Sequence, residues 1–363
     1  VTGQAALARR RLETAAAPPL RVMIVDDSAV ARAVLSRMIA TYADFEIVAT
    51  AGNAGEALDA LKVVRADVIL LDVEMPGASG LQALPDIIRA GKGARVLIVS
   101  SMAEDGAATT VNALAEGAAD TLPKPGIGNF AGRFSQVLAD KLRRLGRAER
   151  EPDIEVPAAA AAPIRLRVME AGPLGCVALA ASTGGLPALF DFLRPLPKKI
   201  GVPILVTQHL PALFMSHFAR QLTNASGRKA RVAEDGELLA DDLIHVAPGD
   251  AHLCVERAAD GVRVRLDRKR APSGCRPSAD PMLASVAETY GPAGIGVVLS
   301  GMGRDGLIGS RRLVEKGGAM LAQDRHSAAI WGMPRAVAEA GLAAAVLPPA
   351  ELARRVAERA AWR

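Results

Sequence analysis

Along residues 21–145, apolar positions fall in short runs separated by stretches with helical spacing. The pattern predicts strands over 22–25, 46–50, 68–71, 96–100 and around 119–122. It predicts helices over 29–40, 55–64, 80–90, 107–116 and 130–145. Strict alternation of strand and helix implies a parallel sheet covered on both faces, because each parallel connection must cross back over the sheet. From 174 a second alternating unit begins, with strands over 176–180, 203–207, 243–247 and 295–300. Its helices are predicted over 214–222, 280–289 and 307–315, and the runs 251–256 and 262–267 predict a hairpin turned at 258–261. Between the units, 146–173 combines prolines, an alanine run and charges without sustained periodicity, which reads as a linker. The expected organisation is a disordered tail over 1–20, one α/β domain over 21–145, a linker over 146–173 and a second α/β domain over 174–363. No internal repeat is present.

A length of 363 residues suits two domains, and 50% hydrophobic with 23% charged residues suits well-filled cores. Aromatics at 3% argue against nucleic-acid recognition by stacked bases. The net charge of +5 is spread as scattered arginines with clusters at 9–11, 141–150 and 263–270, and reads as a solvated basic surface. Cys176, Cys254 and Cys275 are far apart with no CxxC spacing, so neither a disulfide framework nor a zinc site is expected. His217, His245, His252 and His326 show no metal-site spacing either. Residues 1–19 lack the apolar run of a signal peptide, and no stretch approaches ~20 uninterrupted apolar residues. A cytoplasmic location without membrane insertion is expected.

The first unit gathers acidic residues at strand ends. Asp26 and Asp27 follow its first strand, Asp72 follows the third, Ser100 closes the fourth and Lys124 follows the fifth. Side chains at the carboxyl ends of a parallel sheet converge on one crevice. Three carboxylates there repel one another unless a hard cation such as Mg²⁺ sits among them. A phosphorylated Asp72 would then find Lys124 and Ser100 as further contacts. Taken singly, Asp26 also reads as a helix cap and Asp72 as a loop residue.

In the second unit, strand ends run into Ala181-Ser182-Thr183-Gly184-Gly185, Gln208-His209-Leu210-Pro211 and Gly301-Met302-Gly303-Arg304-Asp305-Gly306. A serine nucleophile needs a base within reach, a histidine serves near neutral pH, and a carboxylate fixes its tautomer. The order Ser, His, Asp differs from the common serine hydrolases, and no G-x-S-x-G elbow is present. Other readings stand beside this one: Ser182 and Asp305 as helix caps, the Ser-Thr-Gly-Gly turn as a phosphate cradle, and Cys275 as a nucleophile without a specified base.

Residues 21–145 resemble a response-regulator receiver domain through Val25-Asp26-Asp27-Ser28, Leu71-Asp72-Val73-Glu74-Met75-Pro76, Val99-Ser100-Ser101 and Lys124-Pro125. The resemblance implies a flavodoxin-like fold, Mg²⁺ held by Asp26, Asp27 and Asp72, phosphorylation of Asp72 by a histidine kinase, and a cis peptide before Pro125. Two positions depart from that family's pattern: Ser79 before Gly80, and Thr121 where many receivers carry an aromatic residue. Residues from about 174 to 355 resemble the catalytic domain of the chemotaxis protein-glutamate methylesterases, a doubly wound α/β domain. The motifs above carry that resemblance, with Ala247-Pro248-Gly249-Asp250, Arg276-Pro277-Ser278-Ala279-Asp280 and Trp331-Gly332-Met333-Pro334. It implies hydrolysis of glutamate methyl esters on chemoreceptors, with deamidation of receptor glutamines. It further implies Ser182 as nucleophile, His209 as base, Asp305 as orienting residue, and Thr183 and Met302 in the oxyanion and substrate shell. No cofactor is expected for the hydrolytic step.

Overall fold

The computed structural model describes residues 18–75, 80–100, 104–124, 131–147 and 164–361. In the first domain the apolar runs become β1 (Leu20–Val25), β2 (Phe45–Ala51), β3 (Val68–Leu71), β4 (Arg95–Ser100) and β5 (Asp120–Pro123). They alternate with α1 (Ala29–Ala40), α2 (Ala54–Val63), α3 (Gly80–Ala90), α4 (Glu104–Ala115) and α5 (Ala131–Arg147). The sheet runs β2-β1-β3-β4-β5 with every pair parallel. Chain order reverses beside β1, so the ends of β1 and β3 open on the crevice where such sheets bind ligands. Local chemistry starts the helices: the Ser28 hydroxyl accepts from Ala31 N–H, and Asn53 caps α2 by accepting from Glu56 N–H. Leu20, grouped with the tail by pattern, is the first residue of β1 and is buried. The strand begins one residue before the polar Arg21 because Leu20 packs into the core that α5 closes.

The second domain contains β6 (Cys176–Ala181), α6 (Gly185–Leu193), β7 (Ile204–Gln208), α7 (Ala212–Ser226), β8 (Ala230–Val232) and β9 (Ile244–Val246). The antiparallel hairpin β10 (His252–Ala258) and β11 (Gly261–Asp267) follows, as predicted, then α8 (Ala279–Tyr290) and β12 (Gly294–Val298). The chain ends with α9 (Leu307–Glu315), β13 (Ala319–Gln323), α10 (Met333–Glu339), β14 (Ala343–Leu347) and α11 (Pro349–Ala360). The seven-stranded sheet runs β14-β13-β12-β6-β7-β9-β8, again with every pair parallel. The chain leaves β6 toward β7 and later returns to its other side as β12, so the carboxyl ends of β6, β7 and β12 share one edge.

Periodicity assigns no helix over 185–193 and no element beyond 315, and the structure corrects both. Helix α6 is buried on nearly every side, so it carries no polar face to produce a period. Strands β13 and β14 are short alanine-rich runs, which apolar pattern alone does not separate from helix. Among the described residues the cis peptide is Arg276–Pro277. The bond expected before Pro125 and the departure at Ser79 lie outside the described residues, as does most of the expected linker. Gly146 and Arg147 of that linker complete α5, while Arg167, near its end, donates to Ala343 O (2.9 Å) at the edge of the second sheet.

Helices α8 and α9 meet at Gly309, where an added Cβ would lie 2.5 Å from Asp280 O and 2.7 Å from Leu283 Cβ. This close approach sets the start of α8 against the first turn of α9. Gly309→Ala is expected to destabilise the second domain by about 1–3 kcal/mol through overpacking, read as a lower urea midpoint for that domain's unfolding transition.

Candidate active site and acidic pocket

Ser182, directly after β6, His209, directly after β7, and Asp305, in the turn after β12, converge at the shared sheet edge. Ser182 Oγ lies 2.9 Å from His209 Nδ1, and His209 Nε2 lies 2.7 Å from Asp305 Oδ2. The ring nitrogens are used in the reverse sense to the chymotrypsin arrangement, with Nδ1 toward the serine and Nε2 toward the carboxylate. Asp305 is buried, and Ser278 Oγ donates to its Oδ1 (2.6 Å) while Ala279 N–H donates to its Oδ2 (2.7 Å). Ser278, the N-cap of α8, is in turn held by its own N–H, which donates to His252 Nδ1 (2.9 Å). Sequence reading found the Arg-Pro-Ser-Ala-Asp motif but gave Ser278 no role, since only folding brings α8 to the Asp305 loop.

Electrostatics follow from this geometry. Burial works to raise the Asp305 carboxyl, but hydrogen bonds from His209, Ser278 and Ala279 prevail and hold it well below the usual carboxylate range. Burial alone would lower His209; its hydrogen bond to Asp305 and the nearby Cys275 outweigh burial and raise it to about 9. Asp280, next along α8, is pushed up to about 6, chiefly by burial.

The turn after β6 is tightly specified. Gly184 has φ +68°, and a Cβ there would collide with Ala329. Ser182 N–H donates to Ser300 O (2.9 Å), Gly185 N–H to Ser182 O (2.8 Å), Ser300 Oγ to Thr183 O (2.9 Å) and Gln208 Nε2 to Ser182 O (2.8 Å). Within 182–185, Thr183 N–H is the amide without an acceptor among the described residues. Met302 N–H, in the facing turn, likewise has none there.

In the first domain Asp26 and Asp72 are buried, Asp27 is exposed, and one carboxylate oxygen from each lies within 4.8 Å of the others. Lys124 Nζ sits 2.5 Å from Asp72 Oδ2 and 2.9 Å from Asp26 Oδ2. Among the described residues Asp26 Oδ2 has only this ion pair with Lys124, and the all-oxygen carboxylate set suits a hard cation. Burial is the largest influence on Asp72 and raises it, against the bonds from Lys124 and Glu74 N–H. Burial alone would lower Lys124, and its bonds to Asp72 and Asp26 raise it. Ser100 is not joined to this group: its Oγ accepts from Thr110 Oγ1 (2.8 Å) inside the core. Thr121 is buried, and its hydroxyl has no hydrogen-bond partner among the described residues.

Residues 177–356 match the CheB methylesterase family and residues 22–129 the response regulator receiver domain. A protein-glutamate methylesterase/protein-glutamine glutaminase of Caulobacter vibrioides is 42% identical over 94% of this chain and 99% of its own. One from Paramagnetospirillum magneticum is 37% identical over 95% of this chain and 97% of its own. The chain belongs to this family. The crystal structure of the Thermotoga maritima CheB methylesterase catalytic domain covers 52% of this chain and 99% of its own, at 34% identity and TM-score 0.50.

Receiver and methylesterase domains meet over the serine turn. Helix α4 packs on α6 and α7, and Leu114, Ala118, Leu186 and Leu210 belong to one continuous apolar cluster. Gly184 N–H donates to Ala119 O (2.8 Å), Thr183 Oγ1 to Asp120 Oδ2 (3.3 Å) and Gln221 Nε2 to Asn112 Oδ1 (2.5 Å). Sequence reading missed these receiver residues, whose roles depend on docking alone. Among the described residues no helix is long and apolar enough to cross a membrane.

His209 is expected to titrate at about 9 against 6.5 for a free imidazole. Its protonated form therefore stabilises the fold fully below pH 6.5, and that contribution is lost as pH rises through about 9. Asp305→Asn removes the carboxylate that raises the ring, so NMR titration of the variant should show its pKa falling.

Proposed function

We propose that this chain is a phosphorylation-regulated hydrolase that removes methyl esters from glutamate residues of chemoreceptors and deamidates receptor glutamines during chemotaxis adaptation. The Ser182–His209–Asp305 hydrogen-bond chain is the observation that carries this reading, together with membership of the methylesterase family. The domain division follows the same reading: a receiver over 21–145, a linker over 146–173 and a catalytic domain over 174–363.

With the ring in its neutral form, His209 Nδ1 takes the Ser182 hydroxyl proton as Oγ attacks the ester carbonyl, while Nε2–H remains directed at Asp305. The uncommitted amides of Thr183 and Met302 are the donors for the developing oxyanion, and their preorientation costs nothing at the moment of reaction. His209 then protonates the leaving group, giving methanol from an ester or ammonia from glutamine. Water deprotonated by the same ring hydrolyses the acyl-enzyme and restores Ser182.

Regulation acts through β5. Its carboxyl end leads to Lys124, bonded to Asp72, while Ala119 and Asp120 at its other end hold the serine turn. Asp26, Asp27 and Asp72 would hold a Mg²⁺ ion, which neutralises charge on phosphoryl oxygens when bound. A histidine kinase of the chemotaxis pathway is the phosphodonor. Phosphorylation of Asp72 draws Lys124 to a new partner, weakens the docking and uncovers Ser182, which is 9% exposed in the docked form.

Methanol release from methylated chemoreceptor should rise with a small phosphodonor and Mg²⁺, lose at least ~10³-fold on Ser182→Ala, and lose its phosphodonor response on Asp72→Asn. No release from folded protein under any condition would overturn the assignment. Asn112→Ala removes a bond across the interface worth about 0.5–1.5 kcal/mol. It should raise the unstimulated rate roughly 2–10-fold, as steady-state kinetics without phosphodonor would show.

A further inference from the structure

We propose that His209, Cys275 and Asp305 form a site for a thiophilic divalent transition-metal ion, zinc in kind, whose binding switches the hydrolase off. The loss of activity rests on the triad reading; the binding itself does not. The sequence offers no metal-site spacing, because the three residues come from three separate loops. Folding nevertheless places one ligand atom from each within 4.8 Å of the other two. Imidazole nitrogen, thiolate sulfur and carboxylate oxygen are the three donor types zinc takes from proteins. Tetrahedral zinc, with bonds of about 2.0–2.3 Å, separates its donors by roughly 3.3–3.8 Å. Small movements of one loop therefore complete the geometry and leave the fourth position for water.

The loop able to make that movement carries Cys275. The residue is half-buried between exposed Gly274 and Arg276, and its Sγ is 3.9 Å from Ser273 O, a weak restraint. Cys176 and Cys254 are buried within β6 and β10, and burial pushes the Cys254 thiol up to about 11. The remaining two ligands are already oriented. Ser278 Oγ and Ala279 N–H hold the Asp305 carboxylate, and Ser182 Oγ holds the far nitrogen of His209. The His209 side chain retains 16% exposure, which gives an ion a path in.

Charge and protons balance. In the working state the imidazole is neutral, with its proton on Nε2 facing Asp305 and its Nδ1 lone pair facing Ser182. A divalent ion takes Nε2, so the ring proton moves to Nδ1, and Cys275 coordinates as a thiolate with its proton passing to solvent. Ion, thiolate, carboxylate and neutral imidazole sum to zero, so the buried site is left without net charge. The ring then donates its Nδ1 proton to Ser182 Oγ. A ring fixed in that state has no lone pair to accept the serine proton, and the nucleophile is silent.

The test uses the full chain with thiols reduced. Cobalt(II) chloride should produce a near-ultraviolet thiolate-to-metal charge-transfer band that zinc chloride abolishes by displacement. Zinc should inhibit methanol release, with recovery on adding EDTA. Cys275→Ser should lose the band and, measured against its own metal-free rate, raise the zinc concentration for half-inhibition roughly tenfold or more. Asp72→Asn, which alters the receiver carboxylates, should keep the band. A wild-type protein without the band, or a Cys275→Ser protein with the band or with unchanged zinc sensitivity, would overturn the site. A band that depends on Cys275 in a protein without esterase activity supports the site and counts against the methylesterase reading alone.

Discussion

A carboxylate taken out of water must be satisfied on every side, and the active-site edge of this protein is arranged around that requirement at Asp305. Its two oxygens receive the His209 ring, the Ser278 hydroxyl and the Ala279 amide. Three loops from distant parts of the chain are thereby tied to one side chain. The tie orients the imidazole toward Ser182, and α8, which Ser278 caps, packs closely on α9 at Gly309. Loss of any of these partners would leave a buried charge under-satisfied, which is why stability and chemistry are coupled at this edge.

The receiver packs on the same edge. An apolar cluster continuous between the domains supplies area, and a few polar contacts set its register: Ala119 with Gly184, Asp120 with Thr183, Asn112 with Gln221. Asp120 also pairs with Lys141 of α5 (2.6 Å), so its carboxylate is braced within the receiver. Because β5 is only four residues long, the Lys124–Asp72 pair and the serine turn are separated by a single short strand.

Most members of both side-chain clusters, Asp26, Asp27, Asp72, His209 and Asp305, reach their places by the same topology. Parallel strands present their carboxyl ends on one edge, and polar residues there are forced together at points where strand order reverses. In the receiver this yields an all-oxygen set with a lysine. In the methylesterase domain it brings together Ser182, His209 and Asp305, and the loop between β11 and α8 adds Cys275 beside them. Ser100 shows the limit of the rule: it ends β4 at that edge, yet its hydroxyl is turned into the core toward Thr110.

By itself the sequence determined the two alternating α/β domains, the acidic strand-end residues and the three motifs bearing Ser182, His209 and Asp305. These are local properties: periodicity, turn chemistry and residue type at a strand end repeat within a few positions of one another. Tertiary structure alone decided that Ser278 and Ala279 hold Asp305, that Cys275 stands beside His209, that the imidazole faces the serine through Nδ1, and that Ala119 and Asp120 cover the serine turn. It also decided α6, whose burial on nearly all sides erased the period that marks a helix. The physical reason is common to all of them: hydrogen-bond partners and burial are set by neighbours distant in the chain, and no local pattern encodes which neighbour arrives.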